Sequence, residues 1–169
     1  MEQLKQQVRT LIYEFKGASY IYGIGCLHRI GPLTAPYGKR ILLVTSLNQR
    51  DPKSYNIITR SLSEAGLEVC AETPSARPNS PRQDILRMKD KILESAPDAI
   101  LAASGGSGID AAKAAVVLAD LGGDFDDYFG VGKVSEKIEK TAATLRPCIA
   151  VQTASGSAAH LSKLSLIHI

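Results

Sequence analysis

Residues 104–113, Ser-Gly-Gly-Ser-Gly-Ile-Asp-Ala-Ala-Lys, carry the strongest chemical signal in the sequence. Gly105 and Gly106 let the chain turn tightly, and without a Cβ they bring backbone N–H groups close to a ligand. The alanine-rich run from Ile109 to Leu121 reads as a helix, so those N–H groups stand at a helix N-terminus. The helix dipole favours an anion there, and phosphate is the usual guest. Ser107 and Asp110 have the spacing of a capping box. A plain strand–Gly–Gly–helix connection in any α/β protein has the same look, and these residues alone leave both readings open.

The elements that must position this turn are legible on either side of it. Asp98 to Ser104 is an apolar run that reads as a buried strand leading into the glycines. Arg40 to Ser46 is the clearest strand, and Leu67 to Ala71 and Pro147 to Thr153 are two more. Ser19 to Gly23 is a short strand candidate, followed by helical turns over Cys26 to Ile30. Between the strands lie helical segments at Lys53–Ala65, stopped by Gly66, and after Pro81, where Ile85, Met88, Ile92 and Leu93 make a buried stripe. A helix over 2–15, with apolar residues at 4, 8, 11 and 12, opens the chain, and a weaker one spans Ser135 to Thr144. Strands alternating with helices mean βαβ units: a parallel sheet with helices on both faces. Ile41–Val44, Ala99–Ala102 and Ile149–Val151 are expected as inner strands. Ligands of such sheets sit at the carboxyl ends of the strands, where Ser46, Asn79, Gly105 to Ser107 and Thr153 to Ser157 all fall.

Composition excludes several classes. The chain has 169 residues, enough for one domain with a core. A net charge of +3, with basic residues scattered, gives no footprint for nucleic acid. No apolar run approaches the ~20 residues of a membrane span. The N-terminus lacks a signal-peptide core. Cys26, Cys70 and Cys148 are widely spaced with no CxxC, as expected for reduced, mostly buried thiols in a cytoplasmic protein. No Cys/His/Asp cluster has metal-ligand spacing.

Three motifs in register resemble the iron-containing, metal-dependent alcohol dehydrogenases. Their Gly-Gly-Gly-Ser-x-x-Asp-x-x-Lys stands here as Ser104 to Lys113, with Ser104 replacing the first Gly. Pro-Asn-Pro appears as Pro78-Asn79-Ser80-Pro81, and Pro-Thr-Thr-Ala-Gly-Thr-Gly-Ser-Glu as Gln152 to His160. The resemblance covers nearly all of residues 10–163. It implies a Rossmann-like N-terminal domain that binds NAD or NADP, and a C-terminal all-helical domain that holds a divalent metal, iron or zinc, through one Asp and three His. The chain has about the length of the first domain only, so residues 1–163 are expected to be the truncated cofactor-binding domain, with no catalytic and no metal-binding residue of their own. Leu164 to Ile169 are what a transposon-end adapter of sequencing libraries encodes in one frame, and are expected to be an artefact.

Carried over by position, Gly105, Gly106 and Ser107 receive the cofactor pyrophosphate, Asn79 contacts the cofactor, and Thr153 and Ser157 place hydroxyls on the loop over it. Ser46 stands where NAD-preferring relatives have an Asp that binds the ribose 2′-hydroxyl. Serine does not repel a 2′-phosphate, and Arg50 follows, so NADP is allowed. Plain structural readings exist for each: a turn Asn before Pro81, helix capping by Thr153 and Ser157, a strand end at Ser46, a solvated helix lysine at 113. His160 and His28 are read as structural. The implied partner is a small alcohol or aldehyde, with a homo-oligomer allowed for the intact protein. The implied activity is hydride transfer between alcohol and carbonyl. The alternatives are a glycerol dehydrogenase or sugar-phosphate cyclase of the same superfamily, or a stand-alone nucleotide-binding module.

Overall fold

The computed structural model describes residues 2–161, and the expectation for 164–169 falls outside them. Four parallel strands form one sheet in the order β2-β1-β3-β4: β1 Arg40–Thr45, β2 Glu68–Thr73, β3 Ala99–Ser104 and β4 Cys148–Gln152. β3 is buried at every position, and β1 at all but its first. Each is flanked on both sides, so their side chains alternate between two apolar layers rather than between core and water.

One layer sets Leu42, Val44, Ile100 and Ala102 against α5 (Arg82–Ser95) and α6 (Gly106–Leu121). The other sets Ile41, Leu43, Ala99 and Leu101 against α2 (Ile30–Thr34) and α4 (Pro52–Glu64). The expected Rossmann-like α/β domain, with helices on both faces, is what forms. α6 approaches the sheet closely because five of its buried positions, Gly108, Ala111, Ala112, Ala114 and Ala115, carry a methyl or nothing. Gly31 allows a second close approach: a Cβ there would stand 2.0 Å from Ser61 O on α4.

Several expectations need correction. Ser19–Gly23 is not a strand. Gly17–Ser19 is a short 3-10 turn, and Tyr20 instead stacks on Tyr22 and on His160. Ile149–Val151 lies at the edge of the described sheet, with Ile149 buried but Ala150 and Val151 half-buried, because β4 pairs only with β3. Leu93 is 53% exposed, and the inward stripe of α5 is Ile85, Met88 and Ile92 with the carboxylate of Asp84. The weaker helix, α7, runs Lys133–Thr141. The cysteines are half-buried rather than buried. Gly66 does end α4, at φ 74°.

Two further helices complete the order. α1 (Glu2–Lys16) exposes Leu4, Val8 and Leu11, and the short α3 (Leu47–Arg50) follows β1.

Asp84, at 4% exposure, fixes the loop between β2 and α5. It accepts from Arg77 N at 2.9 Å, Arg77 Nε at 3.1 Å and Arg87 Nη1 at 3.0 Å, while Arg87 Nη2 donates to Pro74 O at 2.8 Å. The Arg77 hydrogen bond, with help from the Arg87 charge, holds the Asp84 carboxyl below the usual carboxylate range. A depressed native value stabilises the fold above the unfolded value of about 4, and that contribution fades as pH falls through the native value. Asp84→Asn is therefore expected to cost about 2 kcal/mol at neutral pH, a fall in melting temperature of roughly 4–8 °C. The gap from wild type should narrow below about pH 4. Equal melting temperatures at pH 7 would contradict the role given to this carboxylate.

Candidate functional site

The sheet has a switch point between β1 and β3. The helix that follows β1 packs on one face and the helix that follows β3 packs on the other. The chain ends diverge there and leave a crevice beyond the carboxyl ends of the two strands, the usual ligand position in such sheets.

Serine hydroxyls tie the rim of this crevice together. Ser46, just after β1, accepts from Ser75 N at 3.1 Å. Ser75 and Ser104, the latter ending β3, hydrogen-bond through their hydroxyls. Thr153 N, just after β4, donates to Ser104 O at 3.0 Å. The ends of all four strands are thus coupled through one short polar chain. The serine that departs from the family's triple glycine is part of it.

α6 begins in this crevice. Gly105 is its N-cap, with extended backbone, and Gly108 N and Ile109 N fold back onto Gly105 O, both at 3.1 Å. The N–H groups of Gly106 and Ser107 have no earlier turn of helix to donate to. The expected capping box does not form. The helix starts at Gly106, so Ser107 lies inside the first turn, and its Oγ accepts from Asn79 N at 3.2 Å. Asp110 instead pairs with Lys113 at 3.3 Å.

The walls explain the small residues. A Cβ on Gly106 would stand 2.5 Å from Ser157 Cβ, and a Cβ on Gly108 would stand 2.0 Å from Ser104 Oγ and 2.1 Å from Ser75 Oγ. Gly105 is different, with only Ala154 Cβ at 4.0 Å. Asn79 and Ser80 take positive φ, 64° and 48°, and Ser80 Oγ donates to Ser107 O at 2.8 Å. The Pro78–Pro81 turn is therefore fastened to the first turn of α6.

Of the residues expected from sequence, Asn79, Gly105, Gly106, Ser107 and Ser157 come together as one cradle. Ser46 and Thr153 lie on the coupled strand ends. Arg50 meets Ser46 through the backbone, with Arg50 N donating to Ser46 O at 3.3 Å. Its side chain lines a broad cleft along β4, of about 1110 Å³, whose walls include Tyr20, Leu47, Gln152 and Thr153 but not Ser46. Lys113 is not a solvated lysine: it is 22% exposed and its Nζ donates to Ala159 O at 2.8 Å. His160 stacks on Tyr20 at 5.7 Å, with Nε2 3.2 Å from the Tyr20 hydroxyl, a structural use of the ring. Sequence reasoning missed Ser75 as a partner, because a loop serine has no periodic signal. It also passed over Gly108, whose small size could have been read from the motif. Burial pushes the thiol of the half-buried Cys148 up to about 11, which disfavours the thiolate at neutral pH. Among the described residues, no three of His, Cys, Asp and Glu gather where they could hold a metal ion, so the residues here do not fit the family's metal.

A family model of iron-containing alcohol dehydrogenase matches residues 17–169. The chain belongs to that family. It is 28% identical over 148 residues to an NAD-dependent methanol dehydrogenase of Bacillus methanolicus, a match that covers 87% of the chain and 37% of that protein. Two solved structures share the fold. An NADH-dependent butanol dehydrogenase of Thermotoga maritima superposes with a TM-score of 0.67 at 24% identity, over 80% of this chain and 33% of its own. A 1,3-propanediol oxidoreductase superposes with a TM-score of 0.69 at 25% identity, over 81% and 34%. The chain thus spans little more than a third of the length of these relatives.

The cradle makes a prediction that needs no ligand. Gly108→Ala is expected to lower stability by about 1–3 kcal/mol, because its methyl meets two hydroxyls with no room to move. Gly105→Ala, with open space, should stay within about 0.5 kcal/mol of wild type. Urea titration of both variants decides this. Equal midpoints for the two would contradict the packing described.

Proposed function

We propose that the chain is the NAD(P)-binding portion, residues 1–163, of a metal-dependent alcohol dehydrogenase that interconverts an alcohol with its aldehyde or ketone. The observation that carries this reading is the cradle: in a chain of this family, the first turn of α6 opens at the switch point between two walls that only glycine allows. The backbone N–H groups of Gly106 and Ser107, with Gly105 before them, bind the pyrophosphate at the positive end of α6. Asn79 closes one side of the cradle, and Ser157 and Thr153 the other. When bound, the nicotinamide supplies hydride exchange with the carbonyl carbon. The protein's part is to hold it in one orientation and to keep water from the phosphates. The family's metal and the alcohol pocket belong, in this reading, to the part of the relatives' length that the chain does not span. The 169-residue chain alone is then expected to bind the dinucleotide without oxidising alcohols. Alcohol oxidation by the purified chain would remove this division of roles.

Ser46 supports acceptance of NADP. It follows β1 directly and lies beside Ser75, and a carboxylate there would repel a 2′-phosphate. The Arg77 guanidinium in the same loop is already held by Asp84 at 3.1 Å, so the reading rests on Ser46 itself. Ser46→Asp is expected to weaken NADP more than NAD by on the order of 1 kcal/mol, roughly five- to tenfold in affinity. Titration of both cofactors against wild type and variant tests it. Unchanged NADP binding in the variant would mean that Ser46 is not the 2′ position.

A further inference from the structure

Lys113 ends the glycine motif, yet none of the cradle geometry above uses it. It stands seven residues beyond Gly106 and three beyond Asp110. That spacing puts all three on one face of α6. The same face receives the loop that follows β4. Near the start of α6, Ser157 packs against Gly106, where a Cβ would stand 2.5 Å from Ser157 Cβ. Two turns on, Lys113 Nζ donates to Ala159 O at 2.8 Å. Ala159 is 2% exposed and belongs to the core on that side of the sheet, so its carbonyl is partly shielded from water. A charged donor at such a carbonyl makes one of the stronger kinds of hydrogen bond. Asp110 Oδ1 lies 3.3 Å from Lys113 Nζ, and the two side chains are 29% and 22% exposed. The carboxylate thus stands at ion-pair distance from the ammonium that reaches the loop.

The loop needs such a fixture. Ala154 to Ala159 reads Ala-Ser-Gly-Ser-Ala-Ala, so it has almost no side-chain bulk with which to order itself. Fixing each backbone residue costs about 1–2 kcal/mol. We infer that Lys113, held by Asp110, is a positioning residue that clamps the Thr153–Leu161 loop onto α6 as the second wall of the phosphate cradle. The inference rests on the cofactor reading above and assigns Lys113 no contact with the cofactor. A loop clamped in advance loses less entropy when ligand binds, so the clamp raises affinity without touching the ligand.

The test uses Lys113→Met, which keeps the stem and removes the donor, with Lys113→Arg as the conservative variant, both in the full chain. Two readouts are needed: titration with NAD and with NADP, and hydrogen exchange of the loop amides in the unliganded protein. Lys113→Met should weaken both cofactors equally, by about tenfold, the worth of one charge-assisted hydrogen bond. Its exchange should quicken within residues 153–161 and not in β1 or β3. Lys113→Arg should recover most of the affinity. Wild-type affinity with wild-type loop exchange in the Met variant overturns the inference. So does faster exchange across the whole sheet in step with the lost affinity, since that reports general destabilisation. If wild type itself binds neither cofactor, the cradle reading falls and the positioning role with it, while loop exchange still reports whether Lys113 anchors the segment.

Discussion

The first turn of α6 can lie where it does only because Gly106 and Gly108 have no side chains. Gly108 lies over Ser75 and Ser104, and Gly106 lies under Ser157, each at a separation that a Cβ could not share. This closeness brings three chain segments from distant parts of the sequence to one point: the loop after β2, the end of β3 and the loop after β4. Were α6 held further off, the hydroxyl pair beneath Gly108 would lose its cover and Asn79 N would lose Ser107 Oγ. Steric exclusion thus sets the geometry here, and the hydrogen bonds then hold it.

The chain divides its polar groups sharply along the strands. The middles of β1 and β3 are wholly apolar, while their carboxyl ends are serine and threonine. Thr45 Oγ1 donates to Ala103 O at 2.9 Å and accepts from Leu47 N at 3.1 Å, so even the last residue of β1 spends its hydroxyl on backbone. Hydroxyls suit this rim because each both donates and accepts, and they fit where two chain ends diverge by a single residue's length. The longer reach across the loop after β2 falls to Asp84 with Arg77 and Arg87. A buried carboxylate is tolerated there because both cations and a backbone N–H meet it.

The sheet was legible in the sequence because β1 and β3 are short apolar runs bounded by polar residues, and α5 shows its stripe. The glycine turn was legible because a tight turn and a close approach both call for glycine. What was not legible depended on partners distant in the chain. Ser19–Gly23 has the composition of a strand, but aromatic stacking of Tyr20 on His160 decides its conformation. Leu93 fits the helical period, but sits where the sheet no longer covers α5. The capping box failed because helix start and side-chain partner are set jointly by Gly105 and Asn79, and sequence spacing sees neither. Lys113 looked like any solvated helix lysine until the loop 46 residues away was seen to end on it.

Position 46 is one where charge can change without endangering the fold. Its structural duty is to accept one hydrogen bond, from Ser75 N at 3.1 Å. A carboxylate oxygen accepts that bond as well as a hydroxyl does, and more strongly for being charged. Exchange of serine for aspartate therefore leaves the coupling between the ends of β1 and β2 in place. It changes only the charge presented to the crevice. A lysine or arginine there could not make the same exchange, because neither can accept, and Ser75 N would be left without its partner. The backbone bond thus restricts position 46 to acceptor side chains. Within that set, the difference between neutral and negative is the one variable left for a ligand to sense.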